Sequence, residues 1–180
     1  AEKAGNISGR DFITAVALCM DMNVRLTTAV TGRVGEDYAW FSAPIFGIFS
    51  AAAAAGKMLG LTLPQMINAL GIALDRAAGI TESFNSPDSE IRAIRDAFGN
   101  REGVLAAIMA QKGIEACKNP FDILYKVYYN NDYDPAPIVE NLGRDFAGRK
   151  VGFKAWPCCR VAHTYVKAAL DIAAEHRVQP

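Results

Sequence analysis

The chain concentrates charged and titratable side chains in the segment 153–163, which reads FKAWPCCRVAH. Lys154 and Arg160 could bind an anion at a turn that leads into a predicted helix, because helix N-termini attract negative charge. His163 is one of two histidines in the chain. It could act as a general acid or base, because the pKa of imidazole lies near neutrality. The alternative is a surface loop whose histidine is merely hydrogen-bonded, and the residues alone leave both interpretations open.

Two adjacent cysteines in the same segment, Cys158 and Cys159, could supply a thiolate. A position close to a helix start and to Arg160 would lower the pKa of a thiol and make it reactive. We favour the alternative, in which both are small packed side chains. Neighbouring cysteines form a disulfide only with strain, and the CC-x3-H pattern lacks the further ligands of a tetrahedral zinc site. We therefore expect no metal here.

A third group of charged residues, Arg92, Arg95 and Asp96, falls on a predicted helix. The apolar residues of that helix recur on one side, which we predict to be buried: Ile91, Ile94 and Phe98. At about 100° per residue, Arg92 and Asp96 point largely the other way and Arg95 lies at the margin. The guanidinium groups could bind carboxylates, which their planar forks suit. The plainer interpretation is a solvated face with an i,i+4 ion pair.

The elements that position these groups are predicted to be helices along almost the whole chain. Ser8 with Asp11, and Thr62 with Gln65, are residue pairs typical of helix starts. Ser42 predicts another start, and the alanines and glycines after it have so little bulk that neighbouring helices can approach from several sides. We therefore place the helix after Ser42 at the centre of a bundle, in a tight hairpin with the helix that begins at Thr62.

The remaining elements are expected to be shorter. Gly99 and Asn100 are predicted to break the helix that carries the arginines, with a new helix over 104–109. Further elements follow along the chain: short helices over 121–129 and 135–142, a weak strand over 151–156, and a final helix over 161–174. The predicted fold class is mainly α, a multi-helix bundle with the start of a small α+β domain at the C-terminal end. The domain boundary is expected within 146–150.

Composition excludes several classes of protein. The chain has 180 residues, 51% of them apolar, and a formal net charge of zero. A globular domain is expected, with neither a nucleic-acid nor an anionic-membrane surface, since both need a basic excess. The longest apolar run, 43–56, is too short and too rich in alanine and glycine to span a bilayer. Four cysteines without a regular framework, and no visible signal peptide, favour the cytoplasm.

Four stretches in order carry a family resemblance: SGRDFITAVALCMDMNVRL at 8–26, FGIFSAAAAAGKMLGL at 46–61, ALGIALDRAAGITE at 69–82 and KAWPCCRVAH at 154–163. In these four stretches and their order, the chain resembles the MmgE/PrpD family, which includes 2-methylcitrate dehydratases, cis-aconitate decarboxylases and an iminodisuccinate epimerase. The resemblance implies that 1–147 is part of a helical domain and that 148–180 starts a smaller α+β domain. It also implies that the active site lies in the cleft between them.

The resemblance implies roles for individual residues. Lys154, His163 and Arg92 fall at positions that bind anions or move protons, and we expect them to be catalytic. The expected substrate-binding residues are Arg95, Arg160 and Cys158. Arg92 stands where many members have lysine, which keeps the charge but changes the geometry. Phe41 stands where many members have histidine, a departure that argues against 2-methylcitrate dehydratase activity.

The chemistry that the resemblance implies is removal of a proton next to a carboxylate, followed by loss of water, loss of carbon dioxide or reprotonation. Cations stabilise the electron-rich intermediate, and no cofactor is implied. The expected substrate is a small di- or tricarboxylate, and a lyase is the leading expectation. An epimerase of the same family and a non-catalytic carboxylate-binding protein are the alternatives.

An aspartate- and histidine-rich motif of the family would lie before Ala1. The resemblance therefore implies that this chain is a central fragment, inactive by itself. We also expect a homodimer, to which a separate N-terminal segment could contribute the missing motif.

Overall fold

The computed structural model describes residues 1–32, 37–84 and 86–176. Seven α-helices form within these residues: α1 Gly9–Ala29, α2 Ser42–Met58, α3 Leu63–Arg76, α4 Ile91–Gln111, α5 Pro120–Tyr129, α6 Ala136–Val139 and α7 His163–Glu175. The described residues contain no strand longer than an isolated bridge, and the bridges are Val30 with Tyr133 and Trp40 with Ile80. The prediction of a mainly α, multi-helix fold is confirmed.

The chain divides into two compact units, Ala1–Arg149 and Lys150–Pro180. The first unit holds helices α1 to α6. The second holds α7 and the 3-10 turn Arg160–Ala162 that precedes it. The assignment of these parts to the two domains of a larger protein stays a prediction.

Local capping explains where the helices of the first unit begin. Ser8 and Asp11 form a reciprocal capping box at the start of α1, and Thr62 and Gln65 form another at the start of α3. Each box satisfies backbone N–H groups that a helix start otherwise leaves without partners. Gly60 adopts the left-handed conformation, with φ at 67°, between α2 and α3. The predicted N-cap at Ser8 and the predicted capping box at Thr62 are therefore confirmed.

Helix α2 lies at the centre of the first unit, as its small side chains predict. It packs against α1, α3 and α4. Its buried residues include Phe46 and Phe49 beside alanines and Ser50, whose hydroxyl donates to the carbonyl of Phe46. Because a helix of small residues lets neighbouring backbones approach, α2 can be surrounded on three sides without a loosely packed interior.

Helix α4 runs unbroken through Gly99 and Asn100, so the predicted break there is wrong. The glycines of α4 are contact points with α2. A Cβ on Gly103 would lie 2.5 Å from the carbonyl oxygen of Ile48, and one on Gly99 would lie 3.2 Å from that of Pro44. Tertiary packing thus outweighs the low helix propensity of glycine.

The predicted buried face of α4 is also wrong. Ile91, Ile94 and Phe98 are each at least 40% exposed. The side that meets α2 carries Gly99 and Gly103, and positions four residues apart lie on one face of a helix. Arg95 precedes Gly99 by four residues, so the same geometry places it on the inner side, where its side chain is 10% exposed.

A buried ion pair connects α1 to the segment after α5. Asp21 and Arg25 pair at 2.7 Å with side chains 9% and 6% exposed. Arg25 also donates to the backbone carbonyls of Pro137, Glu140 and Asp145, and Asp21 accepts from the backbone N–H of Ala147. These bonds compensate both buried charges and hold the chain after α5 against α1.

The second unit differs from the prediction at its start. The segment 151–156 forms no strand, although its residues alternate in polarity. A strand needs a partner for its backbone groups, and no described residue pairs with this segment. Within the described part of this unit, α7 buries none of its residues, and Phe153 is fully exposed.

Candidate functional site

Arg95 occupies an unusual environment in the first unit. Its guanidinium carbon lies 3.8 Å from the centroid of the Phe41 ring, well within the range of a cation–π contact. Its Nε atom is 3.7 Å from a carboxylate oxygen of Asp96. Burial lowers the pKa of Arg95, which Asp96 opposes and Arg92 reinforces. Arginine stays charged in proteins, so this position holds a positive charge beside an aromatic ring.

The residue that carries the ring is held by backbone hydrogen bonds. Phe41 directly precedes α2, and its N–H donates to the carbonyl of Gly79 at 2.8 Å. The N–H of Thr81 donates to the carbonyl of Ala39 at 2.9 Å, next to the bridge between Trp40 and Ile80. The segment before α2 is therefore joined to the segment after α3, and Phe41 has a defined position.

Arg95 lines a cavity of about 410 Å³ in the first unit. Most of its walls are apolar, and the lining includes Trp40, Pro44, Ile80, Ile91 and Phe98. The charged residues in the lining are Arg76, Arg95 and Glu102. Apolar walls with a few polar groups are typical of small-molecule sites.

Glu102 has two cationic partners. Its carboxylate accepts from Arg76 at 3.0 Å and from Arg101 at 2.6 Å. The hydrogen bonds from Arg101 and Arg76 lower the pKa of Glu102, so it stays ionised and paired. The negative charge in the cavity lining is thus compensated within the protein.

Arg92, predicted to be catalytic, does not line this cavity. It is exposed and contributes to a separate surface depression with Ser89, Glu90, Ala93 and Ile94 at the start of α4. Arg92 and Arg95 therefore line different depressions, although the charge of Arg92 still acts on Arg95. The expectation that Arg92 is catalytic stays a prediction.

The other predicted site residues belong to the second unit. Lys154 and Arg160 are exposed, Cys158 is half-buried, and Cys158 and Cys159 are free thiols. These four side chains lie in the turn between the extended start of the unit and α7. Their roles as substrate-binding or catalytic groups stay predictions.

His163 is the first residue of α7, and its ring is held by Trp156. The two rings meet edge to face at 5.2 Å and an interplanar angle of 89°. The Nε2 atom of His163 is buried and has no hydrogen-bond partner among the described residues. Trp156 thus orients the imidazole that the sequence identifies as the candidate acid or base.

Sequence reasoning found Arg95 but missed the side chains around it. The sequence identifies Phe41 only as a departure from the family pattern, and it gives no signal for Trp40, Arg76 and Glu102. The four-residue spacing from Arg95 to Gly99 and on to Gly103 was the available signal. It places Arg95 on the face of α4 that carries the glycines.

No cluster of three or more histidine, cysteine, aspartate or glutamate residues in 1–32, 37–84 and 86–176 has an arrangement that could hold a metal ion. Within the same described residues, none of the helices has the length and apolar character needed to cross a membrane.

Comparison with known proteins places this geometry in context. Residues 1–130 match the MmgE/PrpD N-terminal domain. The chain is 27% identical to a cis-aconitate decarboxylase-like protein, oryM, of Aspergillus oryzae, over 90% of this chain and 35% of the relative. It is 28% identical to a cis-aconitate decarboxylase of Aspergillus terreus, over 98% of this chain and 37% of the relative.

A cis-aconitate decarboxylase of Aspergillus terreus strain NIH 2624 is also 28% identical, over 93% of this chain and 36% of the relative. The chain therefore spans little more than a third of the length of these relatives. The domain match covers residues 1–130, well over half of the chain, and includes the entire Arg95 cavity. The chain belongs to the MmgE/PrpD family.

Proposed function

We propose that this chain is part of a lyase that acts on a small di- or tricarboxylate by removing a proton next to a carboxylate. The observation that carries the proposal is the Arg95 guanidinium at the wall of a largely apolar cavity, in a chain of this family. The relatives described as cis-aconitate decarboxylases support a carboxylate substrate. Arginine suits such substrates because its N–H edge matches the two oxygens of a carboxylate.

The proposed reaction assigns separate tasks to the predicted residues. His163 or Lys154 takes the proton from the carbon next to the carboxylate, and Arg92 stabilises the negative charge that develops on the substrate. Arg95 binds a carboxylate group of the substrate. The intermediate then loses hydroxide, which takes up a proton to become water. Alternatively, it is reprotonated at another carbon, the resulting isomer loses carbon dioxide, and the electron pair left on carbon takes up a further proton. Arg160 and Cys158 contact the substrate without taking part in proton transfer.

The test is turnover by the protein expressed from its complete reading frame. Cis-aconitate, 2-methylcitrate and iminodisuccinate are offered as substrates, and products are identified by mass spectrometry. In the Lys154→Ala variant we expect kcat to fall by about 10²-fold or more, the usual effect of losing a proton-transfer group. Lys167→Ala is the control, since Lys167 is an exposed lysine of the same unit that pairs with Asp171. Unchanged turnover in Lys154→Ala would remove Lys154 from the mechanism.

An epimerase of the same family shares the first step and differs only in the fate of the intermediate. Reprotonation at the same carbon from the opposite face would invert the substrate without loss of water or carbon dioxide. Turnover of iminodisuccinate with inversion and without an unsaturated product would establish this alternative in place of the lyase.

A second candidate function is carboxylate binding without turnover. It is favoured by Phe41, which cannot transfer a proton, at a position where many members of the family have histidine. Phe41 contacts Arg95, a role in binding rather than in proton transfer. Binding of cis-aconitate by the complete protein, with no product from any of the three substrates, would favour this candidate.

A further inference from the structure

We infer that a second cavity of the first unit binds a medium-chain fatty acid, with the alkyl chain among apolar side chains and the carboxylate at Lys57. This cavity has a volume of about 620 Å³ and lies between α1, α2, α3, α5 and α6. None of its described lining residues also lines the Arg95 cavity. The site therefore goes beyond the proposed function and does not depend on it.

The walls of the second cavity are apolar. Among the described residues that line it, the charged ones are Asp21, Arg25 and Lys57, and all the others carry aliphatic, aromatic or methionine side chains. Met22 and Met66 are flexible thioethers that can adapt to the shape of a ligand. The volume lies in the range of small-molecule pockets. An alkyl chain that enters such a cavity leaves water, which favours binding.

The apolar lining continues to the surface, where the cavity opens to solvent. Val139 and Leu142 line the cavity and are 65% and 62% exposed. Leu18, on α1, is also exposed and belongs to the same lining. A ligand chain that covers these side chains removes apolar surface of both partners from water. The opening thus favours a ligand whose apolar part is longer than a small acid provides.

Two of the three charged residues in the lining compensate each other. Asp21 and Arg25 form an ion pair at 2.7 Å. Asp21 also accepts from the backbone N–H of Ala147, and Arg25 donates to three backbone carbonyls. The pair as a whole contributes no net charge to the cavity.

Lys57 supplies the remaining charge. It is an exposed residue in the last turn of α2. Across the described ranges 1–32, 37–84 and 86–176, its ammonium group forms neither an ion pair nor a hydrogen bond. An ammonium group donates and does not accept, so it favours an anionic head group. At an exposed position the carboxylate can stay partly hydrated while its chain is buried, which avoids the cost of burying a charge.

This combination of one cation and apolar walls selects the class of ligand. A fatty acid has one negative group and an apolar chain, and so matches both features. A di- or tricarboxylate would place its further charges against apolar walls, which is unfavourable. Cis-aconitate is therefore not expected to bind in this cavity.

The test is the Kd for decanoate, measured by titration calorimetry on the complete protein at low ionic strength. Removing methylene groups from the ligand should weaken binding by up to about 4-fold for each one. Lys57→Ala should weaken the binding of decanoate by about 2- to 5-fold, the range of an exposed ion pair. The same variant should bind decanamide as the wild type does, because the amide carries no charge.

Two further variants and a control sharpen this test. Lys57→Glu should weaken the binding of decanoate more than Lys57→Ala does, because it adds a repulsive charge. Val139→Asp should weaken it too, since it places a carboxylate where the cavity opens, and this exposed position tolerates a polar side chain. Lys126→Ala, a change in an exposed lysine of α5 outside the cavity lining, is the control and should leave Kd unchanged.

Three results would overturn the inference. The first is a complete protein that does not bind decanoate, as expected if another stretch of polypeptide fills the cavity. The second is an equal loss of decanoate and decanamide binding in Lys57→Ala, or no loss of either. The third is competition between cis-aconitate and decanoate, which would place both ligands in one site. Binding of decanoate that weakens with chain length, and that depends on Lys57 only for the charged ligand, would support it.

Discussion

Two arginines of the first unit, Arg25 and Arg95, have largely buried side chains, and the surroundings of these side chains differ in kind. Arg25 and Arg95 have side chains 6% and 10% exposed, and both line cavities, of about 620 and 410 Å³. Arg25 pairs with Asp21 and donates to three backbone carbonyls. Arg95 lies over the ring of Phe41, with Asp96 at 3.7 Å.

The difference shows why burial does not by itself identify a functional cation. An arginine side chain carries five N–H groups. In Arg25, four of them donate to oxygen atoms of the protein, and each of those oxygens would lose its partner if Arg25 were replaced. Such a residue serves the fold. Arg95 packs the face of its guanidinium group on the ring of Phe41, beside Asp96 and at the wall of a largely apolar cavity.

The largest effect on stability is expected from replacing Arg25. Arg25→Met should lower the free energy of unfolding by about 3–5 kcal/mol, because it leaves the carboxylate of Asp21 buried without its cation. Urea denaturation of the complete protein measures the change. In the double variant Asp21→Leu/Arg25→Met, which removes both charges, only part of the lost stability should return, because the backbone groups that the two side chains bind still lose their partners. A loss below about 1 kcal/mol in Arg25→Met would place this pair with ordinary surface ion pairs.

A smaller effect on stability is expected from a substitution in α4, the helix that carries Arg95. Gly103→Ala should lower the free energy of unfolding by about 1–3 kcal/mol, because the added methyl group overlaps the backbone of α2. It should also weaken carboxylate binding, because α4 must move away from α2 to accommodate the methyl group and Arg95 moves with it. Gly47→Ala is the matched control.

A Cβ on Gly47 would meet no atom within 4 Å. Gly47→Ala should therefore stabilise the protein by up to about 1 kcal/mol, through the higher helix propensity of alanine. If both glycine substitutions changed stability in the same direction, the close contact between α2 and α4 would not be the feature that positions α4.

The smallest effect on stability is expected from a substitution of Tyr38, in the segment before Phe41. Burial and a hydrogen bond to Asp132 raise the pKa of Tyr38 to about 12. The folded state thus favours the neutral phenol, and this contribution to stability is complete below about pH 10 and is lost as the pH rises toward the folded-state pKa. Urea midpoints at about pH 8 and about pH 11 should differ less in Tyr38→Phe than in the wild type.

The control for this measurement is Tyr165→Phe, which alters an exposed tyrosine of the second unit. It should keep the wild-type pH dependence. A Tyr38→Phe variant with the full wild-type dependence would assign the alkaline loss of stability to other groups, such as Tyr125 and Tyr129, whose pKa values burial also raises.

The features that sequence predicts correctly here depend on neighbouring residues. The capping boxes at Ser8 and Thr62 join residues three positions apart, and the central place of α2 follows from its own small side chains. Such features need no knowledge of the rest of the fold. The mainly α architecture follows from the same local signals.

The features that sequence misses depend on contacts between distant residues. Gly99 signals a helix break when read alone, but packing against α2 makes it part of a continuous helix. Arg95 and Phe41 are 54 positions apart, and only the folded chain brings them together. Alternation of residues over 151–156 predicts a strand, yet no partner for it lies among the described residues.

The most direct measurement compares the two arginines in the same background. Arg25→Met and Arg95→Met are made in the complete protein, and each is characterised by its free energy of unfolding and its Kd for cis-aconitate. We predict that Arg95→Met weakens binding by about 10- to 100-fold and changes stability by less than about 1 kcal/mol. Arg25→Met should lose stability and, in the fraction that remains folded, keep its affinity. Equal affinity in Arg95→Met and the wild type would contradict the assignment of Arg95 to carboxylate binding.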